Sequence, residues 1–198
     1  VGAVTEVAGV AAWFLMEDRS IPRRETPALR AILDELKPAA VRANPVLFVT
    51  LAIMACLGIA SQVFLPYLII YLQNYLAVPY ALVLGVVLVV ASLFTMVGGR
   101  VMDRVGKDAF LLPVAALYLV GLLGFWFARE LVPVIVVGIV AMAGMLSCNA
   151  TVAAMVRDST PLDRAGVIQG LRMIALVLVP MVIGPLVGAA VISGAGAT

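Results

Sequence analysis

Residues 82–107 read LVLGVVLVVASLFTMVGGRVMDRVGK, a continuous apolar run that ends in a short basic segment. No charged residue occurs in this run before Arg100, and apolar and polar residues do not alternate as they do in the strands of a membrane β-barrel. A helix needs about 20 such residues to cross the hydrocarbon core of a bilayer. The stretch is therefore predicted to be a transmembrane helix whose basic end lies at a membrane surface.

The whole chain has the same character. Of its 198 residues, 64% are hydrophobic and only 12% are charged, and the mean hydropathy is +1.17. A soluble domain carries about 25% charged residues, and a disordered chain needs low hydrophobicity, so both classes are excluded. The composition predicts an all-α membrane protein, a polytopic helical bundle.

The composition also limits the chemistry. Histidine is absent, and Cys56 and Cys148 both lie inside apolar runs without the spacing of a disulfide framework or a metal site. We therefore expect no metal, no cofactor and no catalytic residues. With a net charge of +2 and no basic stripe, nucleic acid is not an expected partner.

Apolar runs divide the chain into a partial span and five full spans. Residues 1–16 are apolar apart from Thr5 and Glu6 but too short to cross a bilayer, so we interpret them as the remnant of a transmembrane helix. A secretory signal is the alternative, although such signals end in small residues and this run ends in Met16 and Glu17. Residues 46–198 form the predicted transmembrane bundle, with spans at about 45–75, 80–98, 109–128, 132–156 and 166–192.

Residues 17–45 are the one long polar segment, with six basic and five acidic residues. Within it, a short amphipathic helix is predicted after Thr26-Pro27, because apolar residues recur at helical spacing. Its apolar face comprises Leu29, Ile32, Leu33 and Leu36. Such a helix is expected to lie on the membrane surface.

Loop charges predict the orientation of the bundle. The connections at 17–45, 73–79, 99–108, 129–131 and 157–165 contain six, zero, three, one and two Lys or Arg residues. Every large value falls on the same side, and basic loops face the cytoplasm. The loops 17–45, 99–108 and 157–165 are therefore expected to be cytoplasmic, in a multi-pass protein of the cytoplasmic membrane.

The segment from Gly99 to Lys107 carries the most specific signal. It resembles the loop signature of the major facilitator superfamily, G-x-x-x-D-R/K-x-G-R/K. Five positions match, and Asp108 departs from the basic residue that often follows; the matching residues are Gly99, Asp103, Arg104, Gly106 and Lys107. A short loop between two apolar helices is also the usual place of this signature.

The resemblance implies a bundle of the major-facilitator type, built from two six-helix halves. The chain is similar to a C-terminal-half fragment, running from a remnant of helix six through the central loop to helix eleven. A rival registration remains open, because Gly184-Pro185-x-x-Gly188 also resembles a helix-five motif of antiporters in the N-terminal half. Against the rival, an N-terminal half would not begin with an apolar run and a long charged segment.

The resemblance to this superfamily implies a secondary active transporter that moves a small solute by alternating access, as a symporter or antiporter driven by a proton or sodium gradient, and not an enzyme. The expected partners are membrane lipid, a small-molecule substrate, the coupling ion and the missing N-terminal half. A non-transporting membrane scaffold or an inactive truncated half is the alternative. Uptake and efflux are equally compatible with the sequence.

The signature is expected to act as a conformational latch, because in this family its aspartate caps a helix of the other half, where a carboxylate favours the positive end of the helix dipole. The latch residues are Gly99, Arg100, Asp103, Arg104, Gly106 and Lys107. Interior prolines and glycines predict bending within the spans. The hinge candidates are Pro66, Pro180, Gly184, Pro185 and Gly188.

Polar and ionisable residues inside the spans are the candidates for substrate binding or ion coupling. Glu6 is either a proton carrier near mid-membrane or the partner of a basic residue in the missing helices, and Arg172 either extends to the cytoplasmic surface or contacts an anionic substrate. Gln62 and Asn149 are large amides. Tyr67 and Tyr71 flank the Pro66 break and either contact the substrate or belong to the aromatic belt at the membrane interface. Serine and threonine residues in the spans are expected to make interhelical hydrogen bonds.

Overall fold

The computed structural model describes the backbone of residues 28–74, 80–161 and 164–195, and the side chains of residues 32–74, 80–161 and 164–191. The predicted partial span at residues 1–16, including Glu6, lies outside this part of the chain. The described residues form helices only, which confirms the all-α fold class. The helices are α1 (Ala28–Glu35), α2 (Pro38–Ala43), α3 (Pro45–Asn74), α4 (Tyr80–Val105), α5 (Lys107–Gly124), α6 (Leu131–Asp158), α7 (Ala165–Met173) and α8 (Val179–Ala195), with a π-helical segment, Ile174–Leu178, between α7 and α8.

Among the described residues, five helical stretches are long and apolar enough to cross a membrane: α3, α4, α5, α6 and the continuous stretch from α7 through α8, called here the last span. Helices are the expected solution, because every backbone N–H and C=O group in lipid must be paired within its own segment. The five stretches alternate in direction, so their charged termini collect at one end of the bundle. We call this the basic end; it holds Arg42, Arg100, Arg104, Lys107, Arg157 and Arg164.

Helix α6 is the centre of the bundle. Half of its most apolar 18-residue window is buried, against 17–28% for the other four spans. It packs against α3, α4 and α5, and its buried face is rich in small residues between Ala141 and Thr151. Small side chains let helix backbones approach closely, which is how membrane helices gain packing contacts without a hydrophobic driving force.

The junction between α4 and α5 is a single residue. Helix α4 continues past the predicted end of its span at residue 98 to Val105, and α5 begins at Lys107. Only Gly106 is not helical, with φ 95° and ψ 150°, a backbone region that is essentially restricted to glycine. The segment 99–105 is thus helical and not the loop that the sequence suggested, since one glycine is enough to reverse the chain.

Replacing Gly106 with alanine is expected to destabilise the bundle by about 1–3 kcal/mol, because a Cβ atom is strained at this φ and ψ. No neighbouring atom lies within 4 Å of the added Cβ, so backbone strain is the only cost. Gly99→Ala is the matched control, because Gly99 is helical and equally open. Thermal unfolding in detergent measures both variants; equal unfolding temperatures would contradict the prediction.

Helix α5 contains a proline. Because the helix begins at Lys107, Pro113 lies inside it and not in its first turn. At the other end α5 stops at Gly124, four residues before the predicted end at Ala128. There the amides of Phe125, Trp126 and Phe127 donate to carbonyls three residues back, the tightened turn that often closes a helix.

The amphipathic helix α1 packs against α7. Its Ile32 side chain contacts Gly170, where an added Cβ would lie 2.9 Å from Ile32 Cδ1. Glu35 accepts a hydrogen bond of 3.0 Å from the guanidinium of Arg164 and is nearly buried, with 12% of its side chain exposed. This packing joins the segment before the first full span to the start of the last span.

Candidate functional site

A cavity of about 330 Å³ lies between α3, α6 and the last span. Its lining includes both large amides that the sequence singled out, Gln62 from α3 and Asn149 from α6, together with Ser61. No Asp, Glu, Lys or Arg side chain of the described residues lines it. The structure thus brings together two residues 87 positions apart, and the cavity offers amide and hydroxyl groups without a charge.

The depth of this cavity in the bundle follows from the position of Gln62. Helix α3 has 30 residues, which corresponds to about 45 Å at 1.5 Å per residue. Gln62 lies 17 residues after Pro45, about 26 Å along this length, and its side chain is exposed. A polar side chain near the middle of a membrane span is costly to leave in contact with lipid. A polar group or another helix is therefore expected to cover this face of α3.

Three prolines add backbone acceptors to the same lining. A proline inside a helix has no N–H for the carbonyl four residues before it. Pro66, Pro180 and Pro185 all lie within helices, and the residues four positions earlier are Gln62, Leu176 and Met181. All three of these residues line the cavity. The prolines predicted as hinges therefore also remove the usual hydrogen-bond donors at this one place.

The amide side chains differ in their present hydrogen bonds. Asn149 donates through Nδ2 to the carbonyl of Met145, at 2.9 Å, so its own side-chain oxygen keeps its acceptor capacity. Ser61 donates to the carbonyl of Leu57, at 2.8 Å, and contacts the sulfur of Met145, at 3.2 Å. Within the described part of the chain Gln62 makes no side-chain hydrogen bond. A donor-bearing molecule in the cavity would therefore meet acceptors that the protein does not use.

Glycines let α3 and the last span approach each other beside the cavity. The ring of Pro180 packs on Gly58, an added Cβ at Gly184 would lie 2.6 Å from Gln62 Cβ, and one at Gly188 would lie 2.9 Å from the hydroxyl of Tyr67. The π-helical segment Ile174–Leu178 ends two residues before Pro180. A π-helical turn is a common local response to a break in the helical hydrogen-bond ladder and often occurs at functional sites. Sequence reasoning missed Gly58, which has no motif around it.

The two tyrosines line a different cavity. Tyr67 and Tyr71 face a space of about 170 Å³ with Phe64, Leu68 and Phe125, towards the end of the bundle opposite the basic end. The hydroxyl of Tyr71 donates to the carbonyl of Ala128, at 3.2 Å. Nearby, Trp126 and Phe127 are more than 80% exposed, as expected of aromatic residues at a membrane interface.

The predicted latch residues have different surroundings in this structure. Arg100, Asp103 and Arg104 are exposed at the end of α4, and none of the three has a hydrogen-bond or ion-pair partner among the described residues. Lys107 pairs with Asp158 and so connects the start of α5 to the end of α6. A partner for Asp103 would therefore have to come from outside this part of the chain.

Serine and threonine residues mostly bond within their own helices. Thr50, Ser61, Ser92, Thr95 and Thr151 all donate to the carbonyl four residues before them. Interhelical hydrogen bonds also occur among the described residues: Ser147 donates to Thr95, at 3.4 Å, and Ser61 contacts the sulfur of Met145, at 3.2 Å. The expectation of interhelical bonding is therefore confirmed for Ser61, Thr95 and Ser147, whereas Ser92 and Thr151 bond within their own helices, because a hydroxyl in lipid readily reaches the carbonyl of the preceding turn. Of these side chains, Ser61 lines the cavity around Gln62 and Asn149.

The comparison with protein families decides the identity of the bundle. The model of the Major Facilitator Superfamily matches residues 1–185. The chain belongs to this superfamily. It is therefore a multi-pass membrane protein of a transporter family, as the signature around Asp103 predicted. Searches of curated proteins and of solved structures found no match, and no group of three or more potential metal ligands occurs in the described residues.

Proposed function

We propose that this major facilitator protein is a secondary active transporter that moves a small, uncharged solute by alternating access, coupled to a proton or sodium gradient. The observation that supports it best is the placement of Gln62 and Asn149 in one uncharged cavity near the middle of the spans. Solute sites of secondary transporters lie near the bilayer midplane, where broken helices present free backbone groups. The freed carbonyls at Gln62, Leu176 and Met181 fit a solute with several hydroxyl or amide donors.

The cavity wall that moves in this proposal is the last span. It carries the π-helical segment, Pro180 and Pro185, and it contacts α3 through the glycine positions described above. A helix with two interior prolines and a π-helical turn bends at lower cost than the continuous helix α6. Bending at Pro180 would change the distance between α3 and the last span and so open or close the cavity.

A second half of the transporter is part of the proposal. Gln62 is exposed on α3, and its surroundings would be lipid unless another group of helices covered this face. The partner is proposed to be an N-terminal half with its own cavity wall. By the distribution of basic residues, the basic end is proposed to face the cytoplasm, in the cytoplasmic membrane.

Cysteine accessibility tests the proposal without knowledge of the solute. In the full-length protein, Gln62→Cys is introduced with Cys56→Ala, because Cys56 is exposed and Cys148 is buried. A membrane-impermeant maleimide is then applied from either side of vesicles of known orientation. We expect partial labelling from both sides, because the molecules are distributed between two states. Asn74→Cys, at the end of α3, is the control and is expected to react from the outer side alone.

Labelling of position 62 from one side alone would contradict alternating access at this cavity. Solute flux adds the second measurement: vesicles with an imposed pH or sodium gradient are offered a panel of labelled polyols, sugars and amides. A proton-coupled transporter loses accumulation when a protonophore is added, and a sodium-coupled one loses it when sodium is replaced by potassium. Flux that is unaffected by either treatment would contradict ion coupling.

Asp103→Asn is expected to shift the balance between the two states towards the one that is open on the cytoplasmic side. The substitution removes the charge that would interact with a helix N-terminus of the second half, an interaction of about 0.3–1 kcal/mol. The ratio of inner to outer labelling at position 62 is therefore expected to rise about twofold to fivefold. Asp108→Asn, a neighbouring exposed carboxylate, is the control; an equal change in both variants would argue against a specific latch.

A further inference from the structure

A third cavity, of about 490 Å³, lies at the basic end between α6 and α7. It shares no lining residue with the cavity around Gln62 and Asn149. Two arginines line it, the exposed Arg157 at the end of α6 and the half-buried Arg172 within the last span, together with Gln169 and Thr160. The remaining lining is small and apolar, mostly alanine.

The arginines of this cavity have no ion-pair partner among the described residues. No carboxylate of these residues lines the cavity, and Asp158, which interacts with Arg157 at longer range, is paired with Lys107. Arg172 lies seven residues after Ala165, about 10 Å into the last span, and is half-buried. An arginine at such a depth is costly without a counter-charge.

The hydrogen-bond donors and the charge of the lining favour one class of ligand. A guanidinium offers N–H donors in a planar fork that matches the oxygens of a phosphate or a carboxylate. Thr160 already donates its hydroxyl hydrogen to the carbonyl of Val156, at 2.5 Å, so its oxygen is not an additional donor there. Gln169 is exposed and can donate through its amide. The two arginines therefore provide the charge, and the alanines leave the space.

We infer that this cavity binds an oxyanion of the phosphate or carboxylate class, held by the guanidinium groups of Arg157 and Arg172. The site is separate from the proposed solute cavity and does not depend on the transport function. A phosphate group reaches it either as a free anion from the aqueous side or as the headgroup of an anionic lipid in the adjoining leaflet. Both sources present the same oxygens to the arginines.

The test measures binding through the thermal stability of the purified full-length protein, because a ligand that binds only the folded state raises its unfolding temperature. Inorganic phosphate is titrated in a neutral detergent against potassium chloride of equal ionic strength. In a second arm, the protein in phosphatidylcholine nanodiscs is compared with nanodiscs that contain phosphatidylglycerol. The variants are Arg157→Gln and Arg172→Gln, and Arg129→Gln is the charge-matched control at the opposite end of the bundle.

We expect a saturable rise of the unfolding temperature with phosphate, with phosphatidylglycerol, or with both. Each glutamine substitution is expected to weaken the apparent affinity at least about tenfold, because a charged hydrogen-bonding partner is lost, whereas Arg129→Gln leaves it unchanged. A response to phosphate alone identifies a free anion, and a response to the lipid alone identifies a headgroup. The inference is overturned if neither probe stabilises the wild type, or if Arg129→Gln weakens binding as much as Arg172→Gln does.

Conservative variants separate ligand binding from folding. Arg157→Lys and Arg172→Lys keep the positive charge but lose the planar fork, so we expect weaker binding with an unchanged unfolding temperature in the absence of anions. A lysine variant that binds as tightly as the wild type would contradict bidentate recognition by that arginine. The accessibility of position 62 is measured in the same variants. If anion binding is lost while the accessibility of position 62 is unchanged, the arginine cavity and the cavity around Gln62 function independently.

Discussion

The double replacement Gln62→Leu and Asn149→Leu is expected to lower the specificity constant for transport about hundredfold. Each leucine removes one hydrogen-bonding group from the proposed solute cavity and leaves a polar group of the bound solute unpaired, which costs about tenfold in affinity. The two residues belong to different helices but line one cavity. Their effects should therefore reinforce each other through the same solute.

Flux of the transported solute into vesicles measures this effect, with the amount of folded protein determined beside it. Ser92→Ala is the matched control: Ser92 is an exposed polar residue of α4 whose hydroxyl bonds to its own helix at Leu88, at 2.7 Å. It should transport within about twofold of the wild type, because surface substitutions have small effects. Wild-type flux in the double variant would show that this cavity does not lie on the transport pathway of the solute.

The second large effect is expected at the crossing of α5 and α6. Gly121→Ala would place a Cβ 2.5 Å from the backbone nitrogen of Ala141, and Gly144→Ala would place one 2.5 Å from the backbone nitrogen of Tyr118. Backbone atoms cannot rotate away as a side chain can, so the helices must separate. We expect each substitution to cost about 3 kcal/mol, the upper part of the usual range for overpacking, and the double variant to yield little folded protein.

The reactivity of Cys148 measures this loss. Its thiol is fully buried in α6, so a fluorescent maleimide reacts with it when the bundle opens, provided that exposed Cys56 is replaced by alanine in every sample. Gly85→Ala is the control, since no atom lies within 4 Å of its added Cβ. Equal unfolding temperatures for Gly85→Ala and Gly121→Ala would show that the α5–α6 crossing tolerates separation.

Length and hydropathy predicted the five membrane-length helices. A continuous apolar segment in lipid must pair its own backbone N–H and C=O groups, and outside a closed barrel only a helix does so. The boundaries were less accurate at residues 99–108. There the basic residues looked like a loop, but charged side chains at a helix end reach water from a helical backbone. The single residue that does leave the helix, Gly106, is distinguished only by its backbone conformation.

The candidate site was predictable in part. Gln62 and Asn149 stand out because amides are expensive in lipid, yet no sequence pattern indicates that two positions 87 residues apart share a cavity. Tyr67 and Tyr71 were grouped with them and lie in another cavity, since Tyr67 is five residues, more than one helical turn, past Gln62. Gly58 and the π-helical segment depend on contacts between helices distant in sequence, which composition does not encode.

The central position of α6 has a consequence for biosynthesis. Helices α3, α4 and α5 emerge from the ribosome before α6, but most of the buried surface that joins them is contributed by α6. Until residues 131–158 have been inserted, the earlier helices have few neighbours to pack against and remain in the membrane as loosely associated segments. Assembly is thus delayed to the fourth full span, and chaperones or proteases that monitor membrane insertion would encounter this chain mainly in that interval.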